Sequence, residues 1–300
     1  MIAFRCFIFP GACFALLVGG IGWWIERKLT ARFQYRVGPP WYQNFIDVMK
    51  LFLKEMIVPR NASRILFILS PLVSFASSLI FTIMVTQSYF FQTSFLGDVI
   101  VMFYLLLIPS LFVIFGGFAS SNPLALAGAT RETKLLLAYE FVFVISLLIV
   151  IIKSGGSLMI ADFARSQIEN GEILRSASGW IGLVLAFFYL QAKLGIVPFD
   201  IPEAEQEIMA GPMIEYSGPL LGFYRLSKLF LYFSVPLFII SLFWHGRTHF
   251  FIFKYVILIL LVSVVKNINP RLRIKDALGF FWFFLFPLGI VGIILALKGF

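Results

Sequence analysis

Eight apolar runs separated by short polar stretches leave this chain few folds to choose from. They fall at about 6 to 25, 65 to 86, 99 to 118, 135 to 152, 177 to 197, 218 to 243, 250 to 266 and 277 to 297. At a helical rise of 1.5 Å per residue, runs of this length suit a hydrocarbon layer about 30 Å thick. A segment in lipid has no water to satisfy its peptide groups, so runs of this kind must be helices. The sequence therefore predicts an all-α integral membrane protein of about eight transmembrane helices, with residues 1–300 forming a single polytopic domain. Composition agrees: 60% of the 300 residues are hydrophobic and 13% charged, against roughly 25% charged in soluble domains.

The net charge of +9 does not point to nucleic acid, because basic residues in such chains gather on cytoplasmic loops. Counting Lys193, Arg225 and Lys228 with the loops after the odd-numbered runs places 17 of the 24 Lys and Arg residues on one side. That side is expected to be the cytoplasm, with both termini outside the cell membrane. The opening run has Arg5 ahead of it like a signal peptide. It lacks a small-residue cleavage site and runs into Trp23, Trp24 and a basic flank, so it reads as a retained first span. Cys6 and Cys13 would lie about 10 Å apart along a helix, too far to bridge, and two thiols are too few for a cysteine-ligated cluster.

In the first inward loop, Gly38-Pro39-Pro40 turns the chain into WYQNFIDVMKLFLKEMIVP. Gln43, Asp47, Lys50 and Lys54 share one helical face, Phe45, Met49, Phe52 and Met56 another, and Pro59 ends the pattern. This predicts an amphipathic helix on the membrane surface, serving as an anchor or as a partner-docking face.

The acids are concentrated in PFDIPEAEQEIMAGPMIEYS, from Pro198 to Ser217. Asp200, Glu203, Glu205, Glu207 and Glu215 are five of the fifteen acids in the chain, and no Lys or Arg lies between Lys193 and Arg225. Asp200, Glu203 and Glu207 are spaced i, i+3, i+7, which puts them on one face of a helix. Like charges so close raise one another's pKa values, so the island is expected to hold at least one proton at neutral pH. The bland alternative is a solvated loop, which fits poorly with the interleaved Ile201, Ile208, Met209, Met213 and Ile214.

Glu140 falls within the fourth apolar run, and Arg225 and Lys228 fall within the sixth. Ionisable groups in a membrane are costly and commonly mark an ion path. Lys228 has no acid at i−4 or i+4, so Glu140 is the first partner to consider and the acidic island the second. Snorkelling to the headgroups is the competing account for Glu140 and Arg225. His245 and His249 have metal-ligand spacing but no third ligand nearby, so no metal site is expected. The sequence shows no glycine-rich phosphate loop and no Ser/His/Asp or CxxC arrangement. No cofactor is expected in this chain, and it is not expected to catalyse redox chemistry alone.

Four stretches together resemble a known family: ERKLTARFQYRVGPP (26–40), IDVMKLFLKE (46–55), SSNPLALAGATRETKLLLAYE (120–140) and PFDIPEAEQEIMAGPMIEYSG (198–218). The resemblance is to the H subunit of bacterial NADH:quinone oxidoreductase, subunit 1 of mitochondrial respiratory complex I, and the homologous component of membrane-bound, energy-converting nickel-iron (NiFe) hydrogenases. It implies a non-catalytic subunit that anchors a peripheral redox arm and couples it to proton or sodium translocation. The implied path residues are Glu140, Glu203, Glu205, Glu207 and Glu215, to which the charge pattern adds Asp200 and Lys228 as expected path residues. Arg27, Arg36 and Arg131 are implied at the redox-arm interface or a quinone-like cavity. The implied partners are peripheral hydrogenase-like large and small subunits, carrying iron-sulfur clusters and a nickel-iron centre, and antiporter-like membrane subunits in the bilayer.

Two departures favour the hydrogenase branch or its sulfur-reducing relatives, which use ferredoxin. The loop after Gly38-Pro39-Pro40 is short, and Arg225-Leu226-Ser227-Lys228 stands where the quinone-reducing members that the chain resembles carry Ala-Glu-Tyr. A quinone-site subunit is the alternative within the family. A secondary cation transporter is the alternative outside it, although the inverted repeats common in such transporters are not visible.

Overall fold

In the computed structural model the apolar runs become long helices packed around a continuous aromatic and aliphatic core. Residues 5, 7–169, 171–245 and 250–299 are described, without the side chains of Glu205 and Gln206. The helices are α1 (Ala12–Phe33), α2 (Gln43–Phe52), α3 (Arg64–Phe91), α4 (Asp98–Ala119), α5 (Pro123–Lys153) and α6 (Ile160–Glu169). They continue with α7 (Ala177–Lys193), α8 (Glu205–Ile208), α9 (Gly218–Phe243), α10 (Phe251–Ile268) and α11 (Ile274–Leu297). The described residues contain no strand.

Six of these helices, α3, α4, α5, α9, α10 and α11, are long and apolar enough to cross a membrane. The first and fifth runs correspond to α1 and α7. Glu26, Arg27, Lys28 and Arg32 make the end of α1 polar, and α7 has 17 residues.

Helix α9 occupies the centre, and every residue from Leu229 to Phe243 is buried. It packs against α1, α3 and α10, and also against α2 and α7. Gly19 allows the approach of α1, because a Cβ there would stand 2.2 Å from the Leu229 carbonyl oxygen of α9. Small residues at such crossings let helices meet where lipid offers no hydrophobic drive.

The fourth run belongs to a longer helix than its hydropathy implies. Asn122 caps α5 by accepting from the Leu124 amide at 2.8 Å, and Pro123 sits at the first position, both favourable at a helix start. Three turns, the last of them polar with Thr130, Arg131, Glu132, Thr133 and Lys134, therefore precede the apolar stretch. Glu140 is 17 residues into α5, about 26 Å along its axis, although only five residues beyond the start of the apolar run.

The surface helix is shorter than predicted. It stops at Phe52, not near Pro59. The chain beyond it lies against the start of α9, where a Cβ on Gly218 would stand 2.3 Å from the Glu55 carbonyl oxygen. Phe45 rests on Gly20 of α1 and Phe52 on Phe223 of α9, while Met49 and Met56 remain exposed.

Candidate functional site

Between α7 and α9 the acidic island is mostly irregular, with α8 as its one α-helical turn and a short 3-10 turn at Gly211–Met213. The single helical face expected for Asp200, Glu203 and Glu207 is therefore absent. Four of the five acids instead meet a base or an amide from distant sequence. Arg271, 71 residues away, donates through Nε to Asp200 Oδ1 at 2.9 Å. Lys228 on α9 lies 3.4 Å from Glu203 Oε2, and Arg131 on α5 donates to Glu207 at 2.6 Å. Asn122 donates to Glu215. Glu205 is in α8, but its side chain lies outside the described residues.

These partners remove the crowding from which a shared proton was inferred. Glu207 titrates below the usual carboxylate range, chiefly because of the Arg131 hydrogen bond and then its charge. The first-choice pairing of Lys228 with Glu140 is likewise replaced by Lys228 with Glu203. The base at Glu140 is Lys193, the last residue of α7, with Nζ 2.9 Å from Oε1. Helix adjacency decides this, since α7 packs directly on α5 whereas Lys228 faces the island.

Two neighbouring cavities connect these groups. The larger, about 580 Å³, lies among α1, α2 and α9 and is lined by Glu26, Arg27, Asp47, Lys50, Arg225 and Lys266, among others. Arg27 is fixed there by Asn44 Oδ1 at 2.7 Å, and Lys266 pairs with the buried Glu26. Arg225 places its guanidinium 5.8 Å from the Trp23 ring. The smaller cavity, about 80 Å³, is lined by Ser110, Glu132, Lys193, Glu203, Ser227 and Tyr224, among others. Gly195, Asp200 and Lys228 line both. Gly195 has φ +61°, and a Cβ there would lie 3.9 Å from Lys228 Nζ and 4.0 Å from Glu203 Oε1, so the site favours a residue without one.

Beyond the small cavity, Tyr139 reaches Glu132 Oε1 at 3.4 Å and Ser110 Oγ at 3.3 Å. Tyr189 reaches Glu140 Oε1 at 3.4 Å. Acids, bases and hydroxyls thus run from the larger cavity past Asp200, Lys228 and Glu203 to Glu132, Lys193 and Glu140. Such groups can hold and exchange protons where isolated charges would be prohibitive.

Glu132, Lys193, Tyr139 and Tyr189 were not picked out as site residues from sequence. Glu132 falls outside the apolar run, although it lies seven residues before Tyr139 on the same face, and Tyr189 is i−4 to Lys193. Of the three arginines expected at an interface or cavity, Arg27 lines the larger cavity and Arg131 holds Glu207. Arg36 is exposed, hydrogen-bonded to Gln34, and lines neither cavity. His249 lies outside the described residues, and among those no group of three His, Cys, Asp or Glu side chains could hold a metal.

At the opposite end of the bundle, His245 is fully buried, with both ring nitrogens unpartnered and its ring 4.9 Å from that of Tyr89. Burial, reinforced by Lys254, lowers its pKa to about 4. Gln167 ties this end together, donating to the Ser241 and Leu242 carbonyls at 3.3 and 2.9 Å and accepting from the His245 amide at 2.8 Å. Lys254 donates to the Trp244 and His245 carbonyls at 2.8 and 3.0 Å.

The long apolar helices define a multi-pass membrane protein, with acids and bases gathered towards one end of the bundle. A family model described as NADH dehydrogenase matches residues 7–297, and the chain belongs to that family, whose members are membrane subunits of oxidoreductase complexes. Similar proteins include the H subunit of NADH-quinone oxidoreductase from Geobacillus sp. (strain WCH70), 32% identical and covering 89% of this chain and 85% of the relative. The same subunit of Thermomicrobium roseum is 34% identical over 90% of this chain and 88% of the relative. Among solved structures, the membrane-bound sulfane sulfur reductase, an archaeal respiratory membrane complex, contains a chain that superposes with a TM-score of 0.83. That likeness covers 95% of this chain and 96% of the other at 25% identity. The family expected from the sequence motifs is thus borne out.

Proposed function

We propose that this chain anchors a peripheral redox arm and couples its electron transfer to proton or sodium movement, in a ferredoxin-oxidising complex of the hydrogenase or sulfur-reducing kind. The carrying observation is the succession of titratable side chains from the cavity at Asp200 and Lys228 to the buried Glu140. A mere anchor has no use for carboxylates and amines lining neighbouring cavities. Asp200, Glu203, Glu132, Lys193 and Glu140 form the path in this reading, with Lys228 holding Glu203. Glu207 and Glu215, fixed by Arg131 and Asn122, lie at its rim. Arg36 and Arg131, on the side of the basic loops, serve the redox-arm interface.

The hydrogenase or sulfur-reducing assignment draws on the short loop after Pro40, on Lys228, and on the likeness to a sulfane sulfur reductase chain. In this reading, iron-sulfur clusters and any nickel-iron centre reside in hydrogenase-like large and small subunits. The antiporter-like subunits adjoin the bundle in the cell membrane, and both ends of the chain face outward across eight spans. A quinone-site role is the second reading, favoured by the names of the NADH-quinone oxidoreductase relatives and by the 580 Å³ cavity beside Arg27.

The test is Glu203→Gln in the intact complex reconstituted into vesicles, read as ions transported per electron pair. The ratio is expected to fall severalfold at equal assembly, and a wild-type ratio would contradict the path. Metal analysis and quinone extraction of the purified complex separate the two electron acceptors.

A further inference from the structure

The ammonium of Lys193 is an unusual group to bury in this way. Its side chain has no exposure, and it carries three donors yet bonds to one described acceptor, Glu140 Oε1. The rings of Tyr139 and Tyr189 lie 5.6 and 6.0 Å from its nitrogen. Glu140 is equally under-satisfied, because Oε2 is buried without a partner. A polar pair bonded on one side only is a poor structural element. Replacement by packed apolar side chains is often neutral or stabilising, so a purely structural role leaves the arrangement unexplained.

Lys193 is also among the residues around the 80 Å³ cavity, whose wall carries Glu132, Glu203 and Lys228, and that volume has room for several waters. Glu132 lines the same cavity and is bonded to the Tyr139 hydroxyl, whose ring lies beside the Lys193 ammonium, so the cation has one carboxylate across the cavity and another, Glu140, sealed in the bundle. Tyr189 and Ser110 complete the polar surroundings.

We propose that Lys193 is the proton-transfer group between Glu132 and Glu140, a further functional residue of the path rather than the fixed counter-charge of Glu140. The proposal rests on the path reading above. Nζ gives a proton to Glu140 Oε1, leaving a neutral amine and a carboxylic acid. The amine lone pair then takes the proton of a protonated Glu132 through a cavity water, which restores the ammonium and leaves Glu132 a carboxylate. One proton moves inward, only N–H and O–H bonds change, and no electrons are exchanged. Lysine can do this because its ammonium can lose a proton, whereas the guanidinium of arginine stays protonated.

That chemical difference supplies the test, made on the intact complex in vesicles with ions per electron pair as readout and Glu140→Gln as reference. Lys193→Arg keeps the charge and is expected to lower the ratio tenfold or more, as Glu140→Gln does. A wild-type ratio in Lys193→Arg beside a collapsed one in Glu140→Gln would overturn the transfer role and leave the path intact. A wild-type ratio in Glu140→Gln would instead overturn the path. If the bulkier arginine prevents assembly, Lys193→His decides. A transferring imidazole restores transport with a pH profile displaced to the acid side, and either no transport at any pH or an undisplaced profile would overturn the proposal.

Discussion

Lys193 and Lys254 are both buried ammoniums on helices of one bundle, yet the first is bonded to a carboxylate beside a cavity and the second to two peptide carbonyls. A carbonyl oxygen anchors a cation but does not take its proton, whereas a carboxylate does both. Gln167 repeats the lesson of Lys254, since all its bonds are to backbone groups that close the end of α9. Charge and polarity at the His245 end therefore fix the fold. At the Glu140 end they face one another and face cavities, so their arrangement can change with protonation.

The comparison breaks most readily at Gln167. Gln167→Ala orphans two buried carbonyls and an amide, and at about 1 kcal/mol or more per bond the loss is ~3 kcal/mol. A thermal midpoint lowered by several degrees, with unaltered ions per electron pair in the surviving complex, is expected. A transport defect at normal stability would show that this end is not merely structural.

His245 provides a pH test of nearly the same size. Its imidazole titrates at about 4 in the fold and near 6.5 when unfolded, so between these values the unfolded chain binds the extra proton. The stabilisation is complete above pH 6.5 and is lost as pH falls towards 4, by up to ~3 kcal/mol. Between pH 7.5 and pH 4.5 the thermal midpoint of the unmodified protein should fall relative to that of His245→Phe. Parallel curves would mean that the ring is not held neutral by burial.

The smallest effect sharpens the other end. Lys228 and Glu203 are partly exposed, and their pairing is worth ~1 kcal/mol. In a double-mutant cycle on the amount of assembled complex, Lys228→Met should couple with Glu203→Gln and be additive with Glu140→Gln. The reverse pattern would restore the Lys228 to Glu140 pairing read from sequence.

Much of the fold was legible because its largest cost, leaving peptide groups in lipid, is written into run length. All eight runs became helices. The first three turns of α5 escaped notice because their Ala, Gly and Thr residues are too weakly hydrophobic and the charged Arg131, Glu132 and Lys134 separate them from the apolar run. Glu132 was lost with them. The acidic island was visible as a concentration of charge, but its partners were not. Arg131 and Arg271 stand 76 and 71 residues from the acids they bind, and no inspection of i±4 neighbours finds them. Lys193 was counted among the basic residues of the island's side, and its role beside Glu140 depends on α7 lying against α5, which is tertiary information.

The most direct measurement compares Glu140→Gln with Lys254→Met, each in the intact complex at matched amounts of assembled protein, as ions transported per electron pair. Both remove one buried charge. The account predicts a ratio reduced about tenfold in Glu140→Gln, within the usual reach of lost proton transfer, and a wild-type ratio in Lys254→Met. Equal ratios in the two variants would contradict it.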